Sequence, residues 1–306
     1  MAAAVNDGAR PMDSLTIFSP AKINLFLAVT GRRTDGFHDL VSVVAPLAFG
    51  DSLRLTRTRA VNDVRLLCDR PEIPLGADNL AVRAAEAFHT ATGIRDGVAI
   101  ELTKRIPIGA GLGGGSSNAV AVLRGLNVIH GEPLAPDRLH ELAASLGSDC
   151  PLFLIGGVCV IRGRGELIQQ LPPPVRKRFA DLRVLLFKPD FSISTPWAYG
   201  RLVSAGNAYV TTAAAEARAS AWFASHDPVS TLLFNSFEAV VFRKFLALPT
   251  LIEALRQQTG VEGVLLSGSG SACFAIVSPE ADVEALTAMI RAALGAQTFV
   301  VATTIA

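Results

Sequence analysis

The chain has little with which to hold a metal or build a disulfide frame. Its 306 residues carry four cysteines, Cys68, Cys150, Cys159 and Cys273, none in CxxC spacing. That excludes a cystine scaffold and a zinc site and points to a reducing compartment. The five histidines, His38, His89, His130, His140 and His226, form no HExxH or paired-ligand pattern, so no bound transition metal is expected. An excess of charge is also missing. The 28 Lys plus Arg face 27 Asp plus Glu, so no overall field recruits nucleic acid or an anionic membrane, and an anionic ligand must be met locally. The longest uncharged runs, 106–123 and 263–279, are interrupted by Gly and Ser clusters that disfavour a membrane-spanning helix. The first fourteen residues contain Asp7, Arg10, Pro11 and Asp13 and no apolar stretch of signal-peptide length, and read as the loose tail of a cytoplasmic protein.

What is present is a globular composition, 50% hydrophobic and 18% charged. A chain of this length is better accommodated as two domains than as one core. The segment LPPPVRKRF, Leu171–Phe179, has the proline and charge content of a linker. It sets the expected domains at 14–170 and 180–306.

Apolar periodicity predicts strands over Leu15–Val29, Leu40–Phe49, Ser52–Arg57, Val64–Cys68, Val98–Leu102 and Arg183–Lys188. It predicts helices over Asn79–Thr92, Ser116–His130, Pro136–Leu146, Ala213–Phe223 and Phe237–Leu246, with Gly147 as a left-handed stop placing Asp149 just past a helix end. The mixture has no regular βαβ rhythm, which favours an α+β fold.

The densest chemical signal is GAGLGGGSS, Gly109–Ser117, between a strand and a strong helix. Glycines let backbone N–H groups approach phosphate oxygens, and a helix start adds unpaired N–H groups and the positive end of its dipole. Ser116 and Ser117 add hydroxyls, for phosphate or for Mg²⁺. Gly109, Gly111 and Gly114 satisfy GxGxxG, but the acidic residue expected about 20 positions on is only Glu132, in a GEP turn. A Walker A loop would need Lys where Gly115 stands. Lys22, inside the apolar strand AKINLFL, is unusually placed for a solvated lysine, and Asn24 shares its strand face.

Three segments together resemble the GHMP kinases. IPIGAGLGGGSSNAV is similar to their phosphate-binding motif, SPAKINLFLAVTGRRTDGFHDL to their N-terminal motif, and LLSGSGSACFAIV to their C-terminal glycine motif, in the family's order from Ser19 to Val277. The resemblance implies a two-domain α+β GHMP kinase fold with the active site in the interdomain cleft. It also implies ATP and Mg²⁺ as cofactors and an alcohol as phosphoryl acceptor.

TDGFHDL, GSDCPLFL and KPDFSISTPWAY most resemble the branch whose small-molecule substrate carries a cytidine diphosphate group. That implies phosphorylation of the 2-hydroxyl of its methylerythritol moiety, in non-mevalonate isoprenoid synthesis, with no obligate protein partner. By the same resemblance Asp149 is the catalytic base and Lys22 its electrostatic partner, with Asn24 beside the substrate. Pro107, Gly109, Ala110, Gly111, Leu112, Gly113, Gly114, Gly115, Ser116 and Ser117 cradle ATP, with Lys104 a weaker candidate. Phe37 and Tyr199 stack the base while His38 bonds its edge, and Gly268, Ser269 and Gly270 close over substrate or phosphates. The metal ligands are not indicated. Two positions depart from the pattern: Phe37 stands where Tyr is common, and Asn118 where Asp is usual. Another small-alcohol GHMP kinase, or a non-catalytic nucleotide or metabolite sensor on the same scaffold, are the competing readings. The stretch 203–223 is longer than the family core requires.

Overall fold

The computed structural model describes residues 12–205 and 209–306. Nearly all of the expected N-terminal tail, residues 1–11, lies outside the described residues. The chain divides into two compact units that interleave in sequence. Unit 1 takes residues up to Ser19, Asp51–Arg105 and Gly115–Leu154; unit 2 takes Pro20–Gly50, Ile106–Gly114 and Ile155–Ala306.

In chain order the first elements are β1 (Ser14–Arg32), β2 (His38–Val61), β3 (Val64–Cys68), α1 (Leu80–Thr92), β4 (Asp96–Thr103), α2 (Gly114–Ile129), α3 (Pro136–Leu146) and α4 (Cys150–Ile155). There follow β5 (Cys159–Gly163), β6 (Leu167–Gln170), α5 (Pro173–Arg176), β7 (Arg183–Lys188), α6 (Thr195–Ser204), α7 (Thr212–Ala224) and β8 (Phe234–Asn235). The chain ends with α8 (Glu238–Val241), α9 (Ala247–Arg256), β9 (Val261–Leu266), β10 (Cys273–Val277), α10 (Val283–Leu294) and β11 (Phe299–Thr304). Helices and strands mix as the α+β expectation requires. Among the described residues no helix is long and apolar enough to cross a membrane.

In unit 1 the second half of β2 pairs antiparallel with β4, from Ser52↔Thr103 to Thr58↔Gly97, and β4 pairs parallel with β3. Alternate strand residues Leu53, Leu55 and Ile100 join Phe88 of α1 and Val122 and Leu126 of α2 in one buried cluster. Asn79 starts α1 by accepting the Ala81 N–H at 2.9 Å, a cap typically worth about 1 kcal/mol. Helix α2 carries Gly125 in mid-course because a Cβ there would lie 2.3 Å from Leu55 Cδ1; close packing outweighs the poor helix propensity of glycine.

Two expectations need correction here. Leu40–Phe49 and Ser52–Arg57 belong to the single strand β2. Asp51, between the two stretches, is fully buried, and its carboxylate accepts from Lys104 Nζ at 2.5 Å and the Arg105 N–H at 2.7 Å. A satisfied buried carboxylate does not interrupt a strand. Gly147 ends α3 at φ 174°, which is extended backbone rather than a left-handed stop.

In unit 2 the first half of β2 pairs antiparallel with β5, from Leu40↔Gly163 to Val44↔Cys159, and β5 pairs with β6. β1 meets β8 in parallel at Phe26↔Phe234. A four-stranded antiparallel sheet runs in the order β11-β7-β10-β9. The core of this unit gathers Ile23, Leu25, Val43, Leu47, Leu186, Phe274 and Ile276. The proline-rich segment folds into α5 and a 3₁₀ turn, and its ends Leu171 and Phe179 pack into that core. The helix expected over Phe237–Leu246 shrinks to α8. Beyond it Phe245 stacks on Phe191 at 4.6 Å and Lys244 Nζ sits 4.6 Å from the Trp197 ring, tertiary contacts that override the local periodicity.

Candidate active site

Within unit 2, the apolar alternation of β1 leaves Lys22 and Asn24 on one face, and both side chains are buried. Lys22 Nζ donates to Asn24 Oδ1 at 2.7 Å, Asn24 Nδ2 donates to Ser42 Oγ at 2.9 Å, and Ser42 donates to the Phe26 carbonyl at 2.5 Å. This relay from β2 fixes the amide's orientation and with it the amine's.

The glycine loop is hydrogen-bonded to the same strand: the Lys22 N–H donates to the Leu112 carbonyl at 3.0 Å. Ala110 and Leu112 turn inward as buried anchors, while Gly109, Gly111 and Gly113 adopt φ of 61°, 78° and 71°. The loop is thus glycine-rich but pinned at alternate positions, which leaves main-chain donors free of side-chain cover.

The second glycine loop packs against the first. The Ala272 N–H donates to the Ala110 carbonyl at 3.1 Å, and a Cβ on Gly111 would come within 2.6 Å of the Ser267 carbonyl. A Cβ on Gly268 would lie 3.5 Å from Asn24 Oδ1. Asn235 holds this loop by donating Nδ2 to the Leu266 and Gly268 carbonyls at 2.7 and 2.8 Å, and Ser269 Oγ bonds Thr195 Oγ1 at 2.8 Å. So unit 2 brings together Lys22, Asn24, residues 109–114 and residues 268–270, which are far apart in sequence.

In unit 1, Gly115, Ser116 and Ser117 form the opening turn of α2. The Ser19 hydroxyl bonds Ser117 Oγ at 2.8 Å and Asn118 Oδ1 at 2.6 Å, so Asn118 turns inward as a structural acceptor. Ser116 hydrogen-bonds the Cys150 thiol, whose pKa burial nonetheless pushes up to about 11. Asp149 lies half-buried in the turn between α3 and α4. Lys104 is engaged by Asp51 rather than displayed on the surface.

A third group of residues surrounds His38 at the start of β2. Its ring stacks on Tyr199 of α6 with centroids 4.5 Å apart and planes 26° apart. Phe37, 53% exposed, has the Arg164 guanidinium 4.8 Å from its ring centroid. The His38 pKa is lowered by burial and by the nearby Arg32 cation, which keeps the imidazole neutral and able to act as acceptor or donor. Beside this group Tyr209, Phe234, Asn235, Ser236, Glu238 and Arg256 help line a cavity of about 720 Å³. Burial raises the Glu238 pKa, partly offset by the Leu266 N–H and by Arg256.

Sequence reasoning passed over Ser19, Ser42, Asn235 and Tyr209. Ser42 in LVSVV and Asn235 in FNSF are polar residues inside apolar runs, a signal of buried hydrogen-bonding roles. Ser19 and Tyr209 carry no such local mark.

The N-terminal domain model of the GHMP kinases matches residues 79–157 and their C-terminal model matches 214–296. A Synechococcus sp. (strain CC9902) protein named 4-diphosphocytidyl-2-C-methyl-D-erythritol kinase is 40% identical over 275 residues, 86% of this chain and 87% of that one. A crystal structure of 4-(cytidine 5'-diphospho)-2C-methyl-D-erythritol kinase superposes with a TM-score of 0.74 at 34% identity, covering 95% of this chain and 99% of the other. Homoserine kinase from Cytophaga hutchinsonii shares the fold at a TM-score of 0.73 and 19% identity, covering 99% and 98% of the two chains.

Proposed function

This chain belongs to the GHMP kinase family, in the branch of the 4-diphosphocytidyl-2-C-methyl-D-erythritol kinases, and on that premise we propose that it transfers the γ-phosphoryl group of ATP to the 2-hydroxyl of its cytidine-diphosphate-linked methylerythritol substrate. The observation that carries the reading is Lys22: a buried lysine, its amine oriented by Asn24, on a strand hydrogen-bonded to the glycine loop. A structural lysine has no need of that loop. A phosphotransferase needs both, one to receive phosphate oxygens and one to stabilise the charge that develops on them.

In the reaction the substrate oxygen forms a bond to the γ-phosphorus, the bond from that phosphorus to the bridging oxygen of ADP breaks, and the hydroxyl proton must leave. The Asp149 carboxylate accepts it, and the Lys22 ammonium favours the anionic forms of base and phosphate. Main-chain N–H groups of 107–117 cradle the triphosphate, with the Ser116 and Ser117 turn at the positive end of the α2 dipole. Gly268, Ser269 and Gly270 close over the phosphates or the substrate, and Phe37, His38 and Tyr199 receive the cytosine. Magnesium, when bound, supplies charge neutralisation. The Ser116 or Ser117 hydroxyl at the start of α2 would be the side-chain oxygen to hold it. The free thiols favour the cytoplasm as the site of reaction.

An ATP-consumption assay tests this. Turnover with the cytidine diphosphate substrate and not with mevalonate or homoserine is expected. Equal turnover with all three overturns the substrate assignment, ATP binding without turnover of any favours a sensor, and an Asp149→Asn variant with normal kcat removes the base.

A further inference from the structure

The aromatic group around His38 contains two buried polar atoms that the fold does not satisfy. His38 Nε2 and Tyr209 Oη both lie out of solvent, with no hydrogen-bond partner among the described residues. The two ring centroids are 6.1 Å apart, and Tyr199 stacks on the same imidazole at 4.5 Å. Tyr209 is held in place from its neighbour, since the Val210 N–H donates to the Val29 carbonyl of β1 at 3.3 Å. Leaving a buried hydroxyl or ring nitrogen unpaired costs about 1–3 kcal/mol, and two such atoms in one aromatic group mark a place where a ligand supplies the missing partners. Tyr209 also forms part of the wall of the 720 Å³ cavity, so there is room beside its ring.

We propose that Tyr209 is a specificity-determining residue for the nucleobase of the substrate, its hydroxyl bonding the polar edge of the base together with His38 Nε2. The ligand chemistry is that of an aminopyrimidine, whose exocyclic amine and adjacent ring acceptor present one donor and one acceptor side by side. Burial holds the imidazole pKa down and the phenol pKa up. Near neutral pH the imidazole then accepts from the amine while the phenol donates to the ring acceptor. A uracil edge reverses that order and demands the other imidazole tautomer, with the phenol oxygen accepting from the ring N–H. This gives residue Tyr209, within the stretch that the family comparison left without a role, a function in recognition. The inference rests on the cytidine reading of the substrate.

The test compares wild type, Tyr209→Phe and His38→Ala by calorimetric binding of CDP and UDP and by steady-state kinetics. Tyr209→Phe is expected to raise KM for the cytidine substrate about tenfold, the size of one lost recognition bond, to leave kcat and the KM for ATP within twofold, and to narrow the preference for CDP over UDP. Thermal unfolding at or above the wild-type midpoint accompanies this, because the variant removes an unpaired buried hydroxyl. If His38→Ala loses CDP binding while Tyr209→Phe keeps it unchanged, the Tyr209 proposal falls and the substrate reading stands. Should both variants bind CDP as wild type does, the cytidine reading itself fails. A lower unfolding midpoint with unchanged CDP affinity assigns the hydroxyl to folding and overturns the proposal.

Discussion

Lys22 and Lys104 are the same residue type at nearly the same exposure, 6% and 8%, yet their surroundings differ in kind. Lys104, just past β4 in unit 1, faces the carboxylate of the fully buried Asp51 at 2.5 Å, and the second oxygen of that carboxylate takes the Arg105 N–H. That charge is neutralised locally by a partner that is itself part of the strand packing. Lys22, in β1 of unit 2, is oriented by an amide dipole that carries no net charge and is itself aligned by Ser42. Asn24 thus fixes where the ammonium points. A buried ion pair closes a fold; a buried cation on a strand hydrogen-bonded to a glycine loop is placed to meet an anion.

The contrast can be broken by substitution. Lys104→Met takes the ammonium away from the buried Asp51 carboxylate, and should cost about 3–5 kcal/mol in denaturant unfolding while the folded fraction keeps its kcat. A companion change of Asp51 to Leu should recover most of the loss. Lys22→Met should do the reverse: kcat falls by about 10²–10³-fold, with an unfolding midpoint close to wild type. If Lys22→Met instead unfolds the protein with kcat intact, the two lysines have the same role.

A subtler change makes one lysine resemble the other. Asn24→Asp puts a carboxylate against the Lys22 ammonium and removes the amide donor to Ser42, and should raise the barrier by about 1.4 kcal/mol, tenfold in kcat, at a stability cost of about 1 kcal/mol. Glu238 sharpens the comparison from the acid side, as a largely buried carboxylate whose pKa burial raises above the ordinary 4.5. Its stability contribution is fully present below the unfolded value and is lost as pH rises through the folded value. Glu238→Gln keeps an acceptor for the Leu266 N–H and should raise the melting temperature at pH 8, with the gain vanishing near pH 4.

Much of this was legible from local pattern. The strands Val64–Cys68 and Arg183–Lys188 and the helix Pro136–Leu146 fall where periodicity puts them, because each buries one face with short-range regularity. The glycine loop was visible because its composition is extreme. Misreadings came where a distant partner decided the outcome. Leu40–Phe49 and Ser52–Arg57 read as two strands, although the buried Asp51 between them is satisfied by Lys104, and Phe237–Leu246 looked helical until Phe191 and Trp197 drew its second half away. Asn118, read as a lost carboxylate, is an acceptor for Ser19, ninety-nine positions away in the chain.

By itself the sequence determined the residue types available for phosphate chemistry and the family to which the chain belongs, because motif spacing and apolar period are local properties of a polymer. Only the tertiary structure decided that Lys104 pairs with Asp51 while Lys22 is oriented by Asn24 beside the glycine loop, and that Tyr199 and Tyr209 both gather at His38. Burial and hydrogen-bond partners are set by segments that meet in space, and the free energy of a charge or a hydroxyl depends on those partners rather than on its neighbours along the chain.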